Sequence, residues 1–271
     1  MPSDAHCHPF DLKNIQSNTE AERKAHNISI AASSWKEEEF YYHKELADHA
    51  TRTGGPPVAL CFAVHPQLPL VEPGAIQASL ERLHHFASSG WLSAIGEAGF
   101  DLYDKAYQAT ESFQEELFNI QLELSITNGL PLVLHIRRAM HKVFKYAKKL
   151  SSLPAVVLHS YSGTYEEALA LRKRGIPAFC SFGTTIVLNH RKAMRACALL
   201  PAEMLLFETD APYQPLRGNA ASSYVDIFKV IRTAALLRAE AESSLCTEVQ
   251  LHTLNDEHFR EVFFQTSSYS G

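Results

Sequence analysis

Histidines and carboxylates that could hold metal ions recur at the ends of short apolar segments of this chain. The first segment ends in Asp4-Ala5-His6-Cys7-His8, where one residue separates two histidines. Side chains two apart on a β-strand point to the same face, and imidazole nitrogen is a good ligand for zinc, manganese, iron or nickel. Taken alone, the pair could equally be two incidental polar residues near the N-terminus.

Further candidates follow four later apolar segments. Glu97 lies between small residues, and each oxygen of a glutamate can hold one of two metal ions. Two successive segments end in His135 and His159, although a single histidine beside apolar residues is more often a hydrogen-bonded core residue. Glu208 and Asp210 follow a strictly apolar run, where burying carboxylates is costly unless a positive charge such as a metal ion compensates them. The candidate metal ligands are therefore His6, His8, Glu97, His135, His159 and Asp210, and the candidate catalytic carboxylates are Glu97, Glu208 and Asp210.

The segments that would position these residues are predicted to be buried parallel strands. They are four to seven residues long, apolar, and lack clean alternation. The eight strands are predicted over Pro2–His6, Asn27–Ala32, Val58–Val64, Leu92–Gly96, Leu132–Ile136, Ala155–Ser160, Ala178–Ser181 and Leu205–Glu208. Segments of helical period lie between them, most clearly Ala109–Asn128, Met140–Leu150, Tyr165–Arg174 and Ala220–Ala241. In the first of these helices, Phe113, Leu117, Ile120 and Leu124 are predicted to form one apolar stripe.

Eight strands with intervening helices predict an α/β fold of the (β/α)8 TIM-barrel type. The 271 residues suit one such barrel, so we expect residues 1–271 to form a single metal-dependent hydrolase domain. A doubly wound open sheet is the alternative, but it should carry a glycine-rich phosphate loop after its first strand, and Cys7-His8-Pro9-Phe10 is not one. In (β/α)8 barrels the C-terminal ends of the strands carry the active site. The candidate ligands lie at the C-terminal ends of predicted strands one, four, five, six and eight, so we expect them to meet there.

Net charge, cysteine placement and the length of apolar runs limit the classes of function that this chain can have. The net charge is -5, whereas a protein that wraps duplex nucleic acid usually carries a basic face. A metal site supplies its own positive charge, so a phosphate-bearing substrate is still compatible with this acidity. The five cysteines are scattered without a C-x-x-C pair, which favours free thiols. No apolar run could span a membrane and no signal segment is evident, so we expect a cytoplasmic protein, and no obligate protein partner is evident.

Taken together, the motifs resemble the TatD family of metal-dependent deoxyribonucleases, within the amidohydrolase-like barrels. The matching segments cover essentially the whole chain and are Asp4-x-His6-x-His8, Ala63-Val64-His65-Pro66, Gly96-Glu97-x-Gly99-Phe100-Asp101, His135-x-Arg137, His159-Ser160-Tyr161-Ser162-Gly163, Glu208-Thr209-Asp210-Ala211-Pro212-Tyr213 and Leu254-Asn255-Asp256-Glu257-His258-Phe259. The departures are Phe100 where leucine is usual, Ser160-Tyr161 where a Cys/Ile/Val-Phe pair is usual, and Gln214 where leucine is common. None of them removes a ligand, and they bear on substrate preference.

The resemblance implies two divalent metal ions, of magnesium, manganese or zinc. One ion would be held by His6, His8, Glu97 and Asp210, and the other by Glu97, His135 and His159, so that Glu97 bridges them. His65 and Arg137 would bind substrate, because histidine can donate a hydrogen bond to a phosphate and arginine offers it a bidentate fork. Glu208 can take a proton from the attacking water or orient it. Asp4 is expected to accept the second N–H of a ligating histidine.

We therefore expect a divalent-metal-dependent hydrolase of phosphodiester bonds, a deoxyribonuclease that acts as an exonuclease on single-stranded or frayed DNA ends by two-metal activation of water. The alternative is an amidohydrolase- or lactonase-type hydrolase of a small carbonyl or phosphoester substrate on the same metal site. A non-catalytic binding protein is disfavoured, because unused buried carboxylates are a liability.

Two groups of residues have more modest interpretations. The aromatic residues Tyr103, Tyr161, Phe182 and Tyr213 follow strand ends, where they could stack on bases or pack between loops. His43, His84 and Lys142 lie on helical stretches away from strand ends and are predicted to face solvent.

Overall fold

Eight parallel strands form one sheet in chain order in the computed structural model, which describes residues 1–264. Strands β1 to β8 are Ser3–Cys7, Ser29–Ser34, Val58–Phe62, Ala94–Asp101, Leu132–Arg137, Val156–Leu158, Ala178–Phe182 and Leu205–Phe207. Every strand pairs in parallel with the next along the chain. This order, with helices between strands, confirms the predicted (β/α)8 barrel.

Among residues 1–264, thirteen α-helices connect or flank these strands. Helices α1 to α13 are Pro9–Ile15, Thr19–Ala25, Glu37–Thr53, Leu68–Val71, Ile76–Ser88, Lys105–Gln108, Glu111–Asn128, Met140–Lys145, Ala147–Leu150, Tyr165–Lys173, Arg191–Leu199, Asp226–Glu240 and Glu248–Phe263. Short 3-10 turns cover Pro73–Ala75 and Ala202–Met204. The predicted helix from Ala220 begins later, at Asp226, because Ser222 before it donates its backbone N–H to the carbonyl of Pro212 at 3.0 Å. Among the described residues, no helix combines the length and apolarity needed to cross a bilayer.

The buried face of α7 differs from the predicted apolar stripe. Phe113 is exposed, whereas Gln114 and Gln121 are buried. Gln121 accepts from the N–H of Val64 at 2.7 Å and donates to its carbonyl at 3.1 Å. Gln114 makes the same pair of bonds to the backbone of Asp101, at 2.8 and 3.0 Å. The two glutamines therefore fix the chain at the ends of β3 and β4, since buried backbone groups need hydrogen-bond partners.

Among residues 1–264, β8 and β1 form no strand ladder and are joined by side-chain hydrogen bonds and by two backbone bonds just beyond β8, from Asp210 to His6 and from His8 to Ala211. Asp4 accepts hydrogen bonds from the backbone N–H of Thr209 at 2.9 Å and from its hydroxyl at 2.5 Å. The amide of Asn255 on α13 donates to the carbonyl of Ser3 at 2.6 Å and accepts from the N–H of Phe207 at 2.9 Å. One buried asparagine thus spans the seam of the barrel.

His43 is buried, so the prediction that it faces solvent is wrong. The backbone N–H of Phe10 donates to its Nε2 at 3.1 Å, which makes Nε2 the acceptor and leaves Nδ1 to donate to the hydroxyl of Ser34 at 2.8 Å. Burial lowers the pKa of His43 to about 3. Lys142 is also buried rather than exposed, between the carboxylates of Glu111 and Glu115.

We expect His43 to make folding sensitive to mild acid. Its folded-state pKa of about 3 lies below the ordinary value of 6.5, so between these pH values the unfolded chain binds the extra proton. The stabilisation is complete above pH 6.5 and is lost as the pH falls. Between pH 7 and 5.5 the free energy of unfolding should drop by about 1.3 kcal/mol less in His43→Gln than in the wild type, as measured by urea unfolding. His84→Gln, at an exposed site, is the control, and an equal drop in all three proteins would contradict the prediction.

Candidate metal centre

The C-terminal ends of the strands bring all six predicted ligands together. His6 lies in β1 and His8 directly precedes α1. Glu97 lies within β4 and His135 within β5, while His159 follows β6 at once. Asp210 stands three residues beyond β8, with a positive φ of 55° and its backbone N–H bonded to the carbonyl of His6 at 2.9 Å. The loop after β8 is therefore held directly against β1.

Strand β4 is longer than predicted, so Glu97 lies inside the strand instead of after it. The pairing with β5 shifts register between Ile95 and Ala98, on either side of Glu97. Glycines allow β4 to approach β5 closely here. A Cβ on Gly96 would lie 2.4 Å from the Cβ of Val133, and one on Gly99 would lie 2.3 Å from the carbonyl oxygen of His135. Gly96 and Gly99 thus allow the close contact between the two strands that positions Glu97.

One oxygen of Glu97 faces a first group of donors. Its Oε1 lies 3.3 Å from Nε2 of His6 and 3.4 Å from Nε2 of His8. The two imidazole nitrogens are 3.2 Å apart. Oδ1 of Asp210 lies 3.4 Å from Nε2 of His8 and 3.8 Å from Nε2 of His6.

The other oxygen of Glu97 faces a second group. Its Oε2 lies 2.8 Å from Nε2 of His159 and 3.3 Å from Nδ1 of His135. These two nitrogens are 3.2 Å apart. Nε2 of His65 lies 3.6 Å from the same oxygen, so His65, a predicted substrate-binding residue, also borders this group. Each oxygen of one carboxylate therefore belongs to a separate set of donors.

The spacing of these donors fits bound divalent cations. Two nitrogens each about 2.0–2.1 Å from one tetrahedral ion lie roughly 3.3–3.4 Å apart, close to the separations in both groups. His6, His8 and Glu97 form one cluster with all ligand atoms within 4.8 Å, as do His65, Glu97 and His135. A third cluster joins His6, His159 and Asp210. A mixed nitrogen and oxygen donor set suits zinc or manganese, and the carboxylates suit magnesium.

The protonation of these groups reflects their mutual attraction. Burial by itself lowers the pKa of His8, but its hydrogen bond to Asp210 and the charge of Glu97 outweigh burial and raise the pKa to about 9. Burial by itself raises the pKa of Glu97, but the charges of His159 and His6 hold it well below its usual range. Divalent cations that bind among these groups would displace protons from the histidines.

Glu208 lies deeper than the six predicted ligands and is fully buried. Its Oε1 accepts from the backbone N–H of Ser160 at 2.6 Å and lies 3.5 Å from Nδ1 of His159. Its Oε2 is buried without a hydrogen-bond partner among the described residues. A buried carboxylate oxygen without a donor is costly, so this atom suits a role in which it accepts a proton or a further ligand.

Asp101 supports the second group of donors. It is fully buried, and its Oδ2 lies 3.3 Å from Nε2 of His135 and 3.2 Å from the guanidinium of Arg137. Gln67 donates to the same oxygen at 2.7 Å. Burial raises the pKa of Asp101, but the hydrogen bonds from His135 and Gln67 outweigh it and hold the pKa far below the usual range. Asp101 therefore fixes the ring of His135 and holds one nitrogen of the Arg137 guanidinium.

Asp4 has a different role from the predicted one. It accepts from the backbone N–H of His6 at 3.2 Å and from Thr209, and not from an imidazole. The carboxylate of Asp4 therefore joins β1 to the residue that follows Glu208 after β8.

Two departures from the family pattern meet beside Asp210. The side-chain amide of Gln214 donates to Oδ2 of Asp210 at 2.6 Å and to the hydroxyl of Ser160 at 2.8 Å. The backbone carbonyl of Gln214 accepts from the hydroxyl of Thr184 at 2.6 Å. Gln214 thus donates to one carboxylate oxygen of Asp210, and the other oxygen, Oδ1, faces His6 and His8. A glutamine after the Asp-Ala-Pro turn was the sequence signal for this contact.

The donors open into a cavity of about 1080 Å³ at the barrel mouth. Of the aromatic residues considered for base stacking, Tyr161 and Phe182 are buried in the core, which excludes them from that role. Tyr103 and Tyr213 are half exposed and line the cavity. The whole arrangement, a parallel barrel whose mouth gathers histidines and carboxylates able to hold cations, is that of a metal-dependent hydrolase acting on ester bonds.

Comparison with known proteins agrees with this class. The model of a family described as TatD related DNase matches residues 3–254. A protein of Pectobacterium carotovorum named 3'-5' ssDNA/RNA exonuclease TatD is 32% identical over 196 residues, which cover 69% of this chain and 71% of that protein. The structure of YJJV, a TatD homolog from Escherichia coli K12, superposes with a TM-score of 0.81 at 26% identity over 98% of both chains. A TatD family hydrolase from Entamoeba histolytica has the same fold, with a TM-score of 0.74 at 16% identity over 98% of both chains.

The chain belongs to the family of TatD-related DNases. The comparisons favour the predicted nuclease over the alternative amidohydrolase.

Proposed function

We propose that this enzyme removes nucleotides from the ends of single-stranded or frayed DNA, using two divalent ions. His6, His8, Glu97 and Asp210 would hold one ion, and Glu97, His135 and His159 the other. The observation that carries the proposal is the carboxylate of Glu97, whose Oε1 lies 3.3 Å from His6 and whose Oε2 lies 2.8 Å from His159. When bound, the ions would supply Lewis acidity and activation of water.

Residues beside the two groups of donors are suited to hold the phosphodiester. The guanidinium of Arg137 is 42% exposed and touches Asp101 through one nitrogen, so its other N–H groups are available to a phosphate. Nδ1 of His65 accepts from the backbone of Gln67 at 3.2 Å, which leaves Nε2 as the donor on the side of Glu97. Arg137 and His65 would then orient the bond that breaks.

Glu208 is suited to move the proton. The backbone N–H of Ser160 donates to its Oε1, while Oε2 has no hydrogen-bond partner in the part of the chain that the structure describes and can accept a proton. Burial in the barrel mouth keeps bulk water from competing for this carboxylate. We assign Glu208 the role of orienting water and taking its proton.

The preference for a strand end rests on charge and shape. The chain has a net charge of -5, while gripping a long duplex requires many lysines and arginines. A mouth of about 1080 Å³ can admit one strand end, with a base on Tyr213, whose exposed ring lies edge-on 5.0 Å from His8. The name of the Pectobacterium relative, a 3'-5' ssDNA/RNA exonuclease, supports an end-directed activity and extends the candidate substrates to RNA. A cytoplasmic location and independence of a protein partner stay predictions.

The proposal predicts release of single nucleotides from linear strands, with covalently closed circles spared. End entry requires a terminus, and a circle has none. A time course on end-labelled linear single strands, blunt duplexes and circular single strands of equal length measures this directly, with single strands degraded faster than duplexes. Circles cut as fast as linear strands would show an endonuclease. Turnover of lactones or amides without cleavage of any nucleic acid would favour the alternative hydrolase.

Gln214 gives a test of the assignment of Asp210. If Asp210 is a ligand, Gln214→Leu removes the donor that orients it, and the affinity of the metal-free protein for manganese should fall about 10- to 100-fold. Calorimetric titration measures the affinity without turnover. Gln77→Leu, on the exposed face of α5, is the control. Unchanged affinity in Gln214→Leu would mean that its amide does not position a ligand.

A further inference from the structure

Positive side chains line one sector of the cavity. Among residues 1–264, the lysines and arginines that line it are Arg137, Arg138, Arg191 and Lys192. Arg137 ends β5 and Arg138 follows it, while the other two lie at the start of α11, after β7. The segments after β1 and β2 contribute Asp11, in α1, and Trp35 instead. The electrostatic potential across the barrel mouth is therefore asymmetric, and it is most positive beside β5 and β7, the two neighbours of β6.

Arg137 and Arg138, at the C-terminal end of β5, form a fixed positive surface. Arg138 donates to the backbone carbonyl of Tyr103 at 2.7 Å, and its guanidinium lies 4.5 Å from the centre of that ring. The guanidinium of Arg137 lies 4.2 Å from the same ring. Because two guanidinium groups pack on it, the ring of Tyr103 serves as their platform and is not free to stack on a base. Exposed arginines held in this way lose little further entropy when they bind a phosphate.

The residues after β7 form a second positive surface. Arg191 and Lys192 are exposed and have no carboxylate within ion-pair distance in the described part of the chain. Arg195, one turn further along α11, is paired with Glu166 at 3.5 Å. The positive end of the α11 dipole adds to the charge of the first two residues. Two cations therefore lack a counter-charge on the side that faces the cavity.

We infer that the body of the substrate strand leaves the site across the loop after β6, with its backbone phosphates between Arg138 on one side and Arg191 and Lys192 on the other. The inference rests on the proposed function, which places the cleaved bond at Glu97. Strand β6 lies between β5 and β7 in the sheet, and its loop offers the side chains of Ser160 and Ser162 to the cavity. The ligands recognised are phosphodiesters beyond the one that is cut, whatever the bases. Arg138, Arg191 and Lys192 form no ion pair within residues 1–264, and three such cations suit contact with few phosphates.

The test is binding of a fluorescein-labelled phosphorothioate decathymidylate to the metal-loaded protein, followed by anisotropy at several salt concentrations. Arg191→Gln/Lys192→Gln should weaken binding about 10- to 25-fold, as expected for two exposed charge contacts. It should also lower the slope of log affinity against log salt by about 1.4, since each contact to a single strand contributes about 0.7. Arg195→Gln is the control on the same helix and should change neither.

Hydrolysis of the dinucleotide dTpdT separates this inference from the proposed function. The double variant should cleave it with a kcat/KM within about twofold of the wild type, because a dinucleotide has no phosphate beyond the reacting one. Unchanged decathymidylate binding, or an equal loss in Arg195→Gln, would overturn the inference. An equal loss on the dinucleotide would place Arg191 and Lys192 at the reacting bond and would also overturn it. A wild type that cleaves no nucleic acid would refute the proposed function, whereas loss of decamer binding in the double variant but not in Arg195→Gln would still show a phosphate-binding surface at Arg191 and Lys192.

Discussion

Replacing Glu97 by alanine is expected to leave at most one metal ion per chain and to lower turnover by on the order of 10³-fold or more. The reason is that both groups of donors converge on this carboxylate, at 3.3 Å from His6 and 2.8 Å from His159. Elemental analysis gives the metal content, and cleavage of end-labelled single-stranded DNA gives the rate. Circular dichroism should show an intact barrel, because the core does not depend on the ions.

Glu123→Ala is the matched control for this variant. Glu123 is an exposed glutamate of α7 that pairs with Lys149 at 2.5 Å, far from the barrel mouth. It should keep the full metal content and rate. If Glu97→Ala also retained two ions, Glu97 would not be the bridge, and the division of the ligands into two groups would be wrong.

Glu208→Gln is expected to separate proton transfer from metal binding. The glutamine can keep the hydrogen bond from Ser160, which now reaches Oε1 at 2.6 Å, so the local structure should hold. The amide cannot take a proton, and turnover should fall about 10²- to 10⁴-fold with the metal content unchanged. Parallel metal analysis and single-turnover cleavage measure the two effects. Loss of metal would make Glu208 a ligand, and near-normal turnover would remove it from the reaction.

The barrel and its ligands could be predicted because both follow from local sequence. Buried parallel strands are short apolar runs, and the residue after each run lies at the barrel mouth wherever the helices pack. His159 and Glu208 illustrate this, since each directly follows the last residue of its strand. Neither prediction required knowledge of contacts distant in sequence.

The supporting contacts could not be predicted because each joins segments far apart in the chain. Gln121 and Val64 are 57 residues apart, and glutamine on a helix face is usually solvent-exposed. His43 has no local feature that distinguishes it from an exposed histidine, and its partners are Ser34 and the backbone of Phe10. The role of Asp101 could not be predicted for the same reason, since Gln67 and Arg137 reach it from other segments of the chain.

The role of Asn255 at the seam has a consequence for synthesis of the protein on the ribosome. His6 and His8 emerge first, yet the amide that bonds Ser3 to Phe207 is translated almost at the end of the chain. At about 5–20 residues per second, the interval between His8 and Asn255 is roughly 10–50 s. For most of that time β8 has not been made either, so the edge of β1 has no neighbour on that side, and such an edge can pair with other chains. The nascent chain therefore contains its metal-binding histidines long before it contains α13, the helix whose Asn255 joins β1 to β8.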